Sequence, residues 1–198
     1  MARENNMAVG SGPYRVMPRK KIVSGDLEIS ALQPCHIDSV RIWRNAQMDV
    51  LRQTELITQQ QQARYFASEV WPDKLSKRPT QVLLAIHRFG ELIGYGGLVY
   101  IRWEPLSAEI SFLLAPEWEA NNEKRELIFA GFLDAIKQLA FNDLSLNRLF
   151  TETYSHRGGH IATLEAAGMQ VEGRLRENVS INGEFEDSIL HSIIRRDL

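Results

Sequence analysis

The fold is decided by residues 146–188, which read LNRLFTETYSHRGGHIATLEAAGMQVEGRLRENVSINGEFEDS. This segment and the residues just after it predict a strand, a short helix and two more strands, over residues 148–154, 161–167, 171–181 and 185–194. Gly168 is suited to end the helix, because a helix C-terminus often needs a left-handed residue. Asn182-Gly183 predicts a tight hairpin, since a type I′ turn requires a positive φ at two successive positions. The segment therefore predicts a β-α-β-β unit.

The upstream chain completes an α/β pattern. Alternating or continuous apolar residues predict four strands, over residues 27–32, 81–87, 92–101 and 108–114, and helical periodicity predicts three helices, over residues 36–51, 58–71 and 123–141. Thr58 is expected to cap the second helix in a capping box with Gln61, and Pro72 to end it. The order β-α-α-β-β-β-α-β-α-β-β indicates one mixed, mostly antiparallel seven-stranded sheet with helices on both faces.

Length and composition set further limits. The 198 residues suit one domain, which we place at residues 26–198 after a flexible, basic N-terminal tail over residues 1–25. A net charge of −2 gives no reason to expect a nucleic acid or membrane partner. Cys35 is the one cysteine, and the five histidines lack metal-ligand spacing, so we expect no metal. With no apolar run of about 18 residues and no signal peptide, a cytoplasmic location is expected.

The quoted motifs, read in order, resemble the GNAT superfamily of acyltransferases. The resemblance rests on Leu146-Asn147-Arg148, Ala166-Ala167-Gly168-Met169, Glu172-Gly173-Arg174-Leu175-Arg176, Ile181-Asn182-Gly183 and Glu186-Asp187-Ser188, and it is collinear over residues 27–196. It is strongest to the branch that acetylates ribosomal-protein N-termini and amino sugars. The resemblance implies a sheet that splays between its fourth and fifth strands, with acetyl-CoA as co-substrate in the gap.

A second resemblance concerns the acceptor. Residues 41–45, Arg-Ile-Trp-Arg-Asn, are similar to the opening of sugar-amine N-acetyltransferases that act on nucleotide-linked amino sugars. It implies a substrate-binding role for Trp43, Arg44 and Asn45, although Trp43 is also suited to pack against the sheet. Trp103 is a further candidate beside the acceptor, and its alternative is a homodimer contact.

The resemblance also implies where acetyl-CoA would bind. The pantetheine arm would lie along the fourth strand at Phe112, Leu113 and Leu114. The diphosphate loop of the family is changed here: Glu119, Ala120, Asn122 and Lys124 occupy its pattern positions. Asn122 is expected to cap the following helix, and Lys124 or Arg125 to pair with phosphate, whereas Glu119 and Glu123 oppose an anion. Arg157 stands where the family has an asparagine, and Leu164 where many members have a tyrosine.

Few residues remain for catalysis. An amine attacks a thioester only when neutral, so a nearby base must take its proton. Glu109, Glu152, Tyr154 and His156 fall where such groups sit in the fold. The alternatives are that the two glutamates pair with arginine or lysine, that Tyr154 is a packing residue and that His156 is a surface loop residue.

Two functions follow from these observations. The first is an N-acetyltransferase that acts on a small-molecule amine or a protein N-terminus, with backbone N–H groups near residues 111–113 stabilising the oxyanion. The second is a GNAT-fold ligand-binding or assembly module that no longer binds CoA. The changed loop, Arg157 and Leu164 favour the module, and the intact fourth strand favours the enzyme.

Overall fold

A computed structural model describes residues 10–198, which form one eight-stranded sheet. In chain order, the strands are β1 Lys21–Ser24, β2 Leu27–Ala31, β3 Val82–Arg88, β4 Glu91–Arg102, β5 Ser107–Leu114, β6 Arg148–Tyr154, β7 Gln170–Ile181 and β8 Glu184–Ile194. Their spatial order is β1-β2-β3-β4-β5-β6-β8-β7. Only the β5–β6 pair is parallel among the described strands. The predicted mixed α/β fold is therefore confirmed, with one strand more than the seven expected.

The helices cover both faces of the sheet, as predicted. They are α1 Ile37–Ala46, α2 Gln59–Tyr65, α3 Pro116–Glu119, α4 Asn122–Lys137 and α5 Gly158–Ala166, together with a single α-helical turn, Trp71–Leu75. One apolar cluster packs α1 and the segment after α2 against the sheet, and a larger one packs α4 and α5 against the opposite face. The two clusters are the two layers of core that hold the sheet between helices.

Helix α2 begins as predicted but ends later. The Thr58 hydroxyl accepts from the Gln61 N–H, and the Gln61 side chain accepts from the Thr58 N–H, which confirms the capping box. Pro72 was expected to end the helix; instead a π-helical turn, Phe66–Val70, leads into one more α-helical turn, Trp71–Leu75. Pro72 is tolerated there because it lies in the first turn, where its missing N–H is not needed.

The N-terminal segment also differs from the prediction. Of the tail expected over residues 1–25, residues 1–9 lie outside the described part of the chain, while Lys21–Ser24 pairs with β2. Tyr14 is 1% exposed, and its hydroxyl accepts a hydrogen bond from the Leu83 N–H at 3.0 Å. The packed chain thus extends before the predicted domain boundary at residue 26. The many Gly, Pro and basic residues of this segment led to the prediction of a flexible tail, because only a few apolar residues anchor it and they show no periodicity.

A buried lysine holds this segment in place. Lys74 is 1% exposed, and its ammonium group donates to the carbonyl oxygens of Gly10, Gly12 and Leu32. Burial lowers the pKa of Lys74 to about 8. The amine is therefore still largely protonated at neutral pH and can donate all three of its N–H bonds.

Replacement of Lys74 by methionine is expected to lower the free energy of unfolding by about 2–4 kcal/mol, because it leaves three buried carbonyl groups without a donor. Urea denaturation followed by tryptophan fluorescence measures the change. Lys77→Met is the matched control, since Lys77 is exposed on the loop that follows. Equal stability of the two variants would show that Lys74 does not anchor the segment.

The tight turns agree with the sequence. Asn182 and Gly183 both adopt positive φ, 53° and 86°, between β7 and β8. This is the pair of left-handed residues that the type I′ prediction required.

The sheet opens between β5 and β6. Their pairing covers three residue pairs, Ser107 with Arg148 to Glu109 with Phe150, and then stops. Both strands continue, β5 to Leu114 and β6 to Tyr154, so a gap widens between them. The splay expected between the fourth and fifth predicted strands is present here.

Candidate active site

A cavity of about 800 Å³ fills the gap between β5 and β6 and continues onto both faces of the sheet. Glu109 pairs with Phe150, so alternation along the strands puts Glu109, Glu152 and Tyr154 on the face that α1 covers. All three side chains line the cavity. The predicted catalytic residues are thus brought together by the structure.

The two glutamates share one arginine. Arg52 Nη2 lies 2.6 Å from Glu109 Oε1 and 3.2 Å from Glu152 Oε2. Asn178 Nδ2 donates to Glu152 Oε1 at 2.9 Å. The glutamate side chains are largely buried, whereas that of Arg52 is 46% exposed. One cation against two carboxylates leaves this side of the cavity with an excess negative charge, which favours an ammonium group.

Tyrosines provide neutral hydroxyl groups on the same face. Burial raises the pKa of Tyr154, so its phenol stays protonated at neutral pH. Burial also raises the pKa of Tyr65, whose hydroxyl donates to Gln81 Oε1 at 3.0 Å. Both side chains line the cavity. The Tyr154 hydroxyl can donate a hydrogen bond there, whereas the Tyr65 hydroxyl, whose proton goes to Gln81, can only accept one.

The predicted acceptor residues separate into three roles. Arg44 lines the cavity, and it donates to the Tyr95 hydroxyl at 2.9 Å and to Gln53 Oε1 at 3.0 Å. Asn45 lies behind it and bonds both backbone groups of Ile57. Trp43 is buried in the core beneath α1, away from the cavity wall.

Four other candidates lie off the cavity. Trp103 packs against the larger core cluster, and its indole N–H donates to the Pro79 carbonyl at 2.9 Å. His156 contacts Glu186 and does not reach the cavity wall. Leu113 and Leu114 are buried, and among the residues of β5 predicted to bind the cofactor only Phe112 lines the cavity.

Aromatic rings form the opposite side of the gap. The Phe112 and Phe129 rings lie 4.6 Å apart, and His160 stacks on Phe129 at 3.8 Å between ring centroids. Burial lowers the pKa of His160 well below its ordinary value, so the imidazole is neutral. His160 Nδ1 has no hydrogen-bond partner in the described structure, and the cavity adjoins this ring.

The changed loop folds around an ion-pair cluster. Glu119 at the end of α3 accepts from Arg157 Nη2 at 2.9 Å and lies 3.7 Å from Arg125 Nη1. All three side chains are less than one-fifth exposed. Two of the cations near the start of α4, Arg125 and Arg157, are therefore already paired with a carboxylate of the same chain.

The start of α4 differs from the prediction by one residue. Asn121, not Asn122, caps the helix, and its side chain accepts from the Lys124 N–H at 3.0 Å. The Lys124 ammonium lies over the Trp118 ring, 5.7 Å from its centroid. The sequence could not distinguish Asn121 from Asn122 as the N-cap, since an asparagine at either position suits that role.

Sequence reasoning missed Arg52, Tyr95 and His160. Arg52 follows the predicted first helix and belongs to no recognised motif. Tyr95 lies within a predicted strand, where nothing distinguishes it from a packing residue. For His160, the signal available was a polar residue on the inner face of a short helix. Their roles depend on partners distant in the chain, such as Glu109 for Arg52.

Residues 29–190 match the family described as "Acetyltransferase (GNAT) domain". This chain belongs to the GNAT acetyltransferase family. The match begins within β2 and ends within β8, so the cavity lies within the GNAT domain. No curated protein sequence matches the chain.

Solved GNAT structures share the fold at low sequence identity. The spermidine N-acetyltransferase from Vibrio cholerae in complex with CoA and spermine has a TM-score of 0.74 and 18% identity, over 87% of this chain and 97% of that one. The structure of a probable acetyltransferase has a TM-score of 0.71 and 20% identity, over 90% and 98%. A manganese complex of the Vibrio cholerae spermidine/spermine enzyme has a TM-score of 0.67 and 20% identity, over 85% and 92%. At these identities the likeness establishes the fold.

Two further observations concern residues 10–198. Within that range, His, Cys, Asp and Glu form no group of three or more suited to hold a metal ion. Every helix in the same range is too short or too polar to span a bilayer.

Proposed function

We propose that this GNAT domain transfers the acetyl group of acetyl-CoA to a primary amine. The observation that carries the proposal is the cavity in the β5–β6 gap, which has the Glu109–Glu152 pair on one side and an aromatic, cationic side on the other. Its volume of about 800 Å³ lies within the range of small-molecule sites. Both reactants would then meet in the gap from opposite faces.

The residues of the aromatic side suit acetyl-CoA. Pairing of β5 with β6 stops at Glu109. Beyond that residue, the edge of β5 that faces the gap is open to an extended ligand. Two buried polar atoms nearby, Arg125 Nε and His160 Nδ1, have no described hydrogen-bond partner. Phe112 would pack along the pantetheine arm, and Arg125 and Arg157 would face the diphosphate.

The chemistry requires proton movement at the amine. Bound acetyl-CoA supplies an activated thioester carbonyl. Glu109, directly or through water, takes the proton that the attacking amine must lose, and Glu152 holds the ammonium form beside it. Backbone N–H groups of residues 111–113 donate to the carbonyl oxygen as negative charge develops on it. The Tyr154 phenol would protonate the departing thiolate.

The acceptor would be an amine of a small molecule, with an amino sugar, including a nucleotide-linked one, as the candidate, or else a protein N-terminus. The amino-sugar candidate rests on Arg44 and Asn45, one of which lines the cavity while the other braces the loop behind it. Homodimerisation and a cytoplasmic location stay predictions.

One observation favours a different function. Because Glu119 pairs with Arg157 and approaches Arg125, the cations suited to a diphosphate are partly neutralised. A GNAT-fold module that binds another ligand and no CoA would tolerate this arrangement.

Calorimetric titration of acetyl-CoA into the protein separates the two functions, with desulfo-CoA and ADP as controls. A dissociation constant of about 1–100 μM, within the common range for enzyme substrates, is expected for the enzyme. Release of CoA thiol in the presence of primary amines then measures transfer. Absence of heat at millimolar acetyl-CoA would leave the module as the function.

Replacement of Glu119 by glutamine is expected to tighten acetyl-CoA binding about tenfold, because Arg157 and Arg125 no longer have a competing carboxylate. Calorimetry of the variant measures the change. Glu123→Gln is the matched control: it removes the same charge from the first turn of α4, and Glu123 is exposed. Weaker binding by Glu119→Gln would mean that Glu119 positions the two arginines for the diphosphate.

A further inference from the structure

The cavity contains an arginine without a carboxylate partner. Among the described residues, no carboxylate oxygen lies within 4.0 Å of the Arg44 guanidinium. Its two hydrogen bonds go to neutral oxygens, Gln53 Oε1 and the Tyr95 hydroxyl. A guanidinium has five N–H donors, so three remain on a side chain that lines the cavity.

A second layer of hydrogen bonds holds Arg44 in this position. Gln53 Nε2 donates to Asn45 Oδ1 at 2.9 Å. Asn45 in turn accepts from the Ile57 N–H and donates to the Ile57 carbonyl, each at 2.9 Å. The loop after α1 is thereby fastened to α1, and Gln53 is fixed where it orients the guanidinium. Such support is typical of a side chain that is preorganised for a ligand.

The rest of the cavity has a different charge. Glu109 and Glu152 surround Arg52 and keep one excess negative charge on the strand side. Glu55 and Glu69 also line the cavity but are exposed, where solvent screens their charge. A partly buried, unpaired cation and a carboxylate pair therefore share one cavity.

We propose that Arg44 binds an anionic group, a carboxylate or a phosphate, on the same acceptor molecule whose amine is held at Glu109 and Glu152. The inference rests on the proposed acetyltransferase function and narrows its acceptor. A guanidinium binds either anion in a bidentate manner, and the gain is largest where water is partly excluded. A polyamine, which carries only positive charges, offers Arg44 no anionic group and is a poor acceptor here.

Paired probes test this inference by calorimetry. The first pair is glucosamine and glucosamine 6-phosphate, and the second is leucinamide and leucine. Each is titrated with and without CoA, so the preference for an anion is measured even if CoA does not bind. In at least one pair, we expect the member that carries the phosphate or carboxylate to bind about tenfold or more tightly than the member that lacks it. The pair that shows the difference distinguishes a phosphate from a carboxylate.

Variants assign the effect to Arg44. Arg44→Gln is expected to abolish the difference within a pair, whereas Arg41→Gln keeps it, since Arg41 lies on the same helix and pairs with Asp38. Thermal melts followed by circular dichroism check that both variants fold. Equal affinities within both pairs, an anion preference that survives in Arg44→Gln, or tightest binding by spermidine would each overturn the inference.

The proposed function and this inference fail in different ways. Loss of the proposed function is seen as absence of acetyl-CoA binding in the direct titration. Loss of the inference alone is seen as acetyl-CoA binding and thiol release with neutral amines, without any preference for an anionic acceptor.

Discussion

Replacement of Glu109 by glutamine is expected to lower kcat/KM for amine acetylation by about 100-fold or more, because the variant cannot accept the amine proton. The substitution keeps the shape of the side chain and its place on β5. Acetyl-CoA affinity is expected to change by less than about threefold, since the cofactor side of the gap keeps its contacts. Thiol release under steady-state conditions and calorimetry measure the two quantities.

Two controls make the Glu109 result specific. Glu91→Gln removes the same charge from an exposed position on β4 and is expected to leave kcat/KM unchanged. The pH dependence of kcat/KM distinguishes a base from a purely structural residue, because loss of a base removes the acidic limb of the profile. Glu109 would not be the base if the variant retained that limb or most of its activity.

Replacement of Gly97 by alanine is expected to destabilise the fold by about 3 kcal/mol or more, or to prevent folding. Gly97 lies in β4 with φ of 134°, and a Cβ atom there would lie 2.0 Å from the Val82 carbonyl oxygen. The obstructing atom is backbone in β3, so relief requires the two strands to move apart. Denaturation in urea measures the loss.

Gly173→Ala is the control for this effect. Gly173 is also a strand glycine, and a Cβ atom there would have nothing within 4 Å. Its replacement is expected to change stability by less than about 1 kcal/mol. If both variants were equally stable, close packing of β3 on β4 would not be what requires glycine at position 97.

Local signals in the sequence were sufficient for most elements. The capping box at Thr58 and the Asn182-Gly183 turn formed as predicted, because each depends on hydrogen bonds or φ angles within a few residues. The splay between β5 and β6 followed from the GNAT resemblance and is present. By contrast, Pro72 did not end its helix, since the preceding π-helical turn places it in a new first turn.

The site was predictable only in part. Glu109, Glu152 and Tyr154 were predicted because they fall where catalytic groups sit in the family fold, and strand alternation in the structure puts them on one face. Their arginine partner was not found, since Arg52 is 57 residues from Glu109 in sequence. The alternative that these glutamates pair with arginine also holds, within a cavity rather than on a closed surface.

The sequence by itself determined the order of elements apart from β1 and α3, the hairpins and the resemblance to the GNAT family, since these depend on periodicity, turn residues and motifs along the chain. The tertiary structure alone decided which charges meet: Glu119 with Arg157, Arg52 with two glutamates, and Arg44 with no carboxylate within residues 10–198. The physical reason is that an ion pair depends on distance in space, and residues far apart in the chain acquire that distance only when the core packs. Those pairings decide how well the site binds the diphosphate of acetyl-CoA and which charge the acceptor carries.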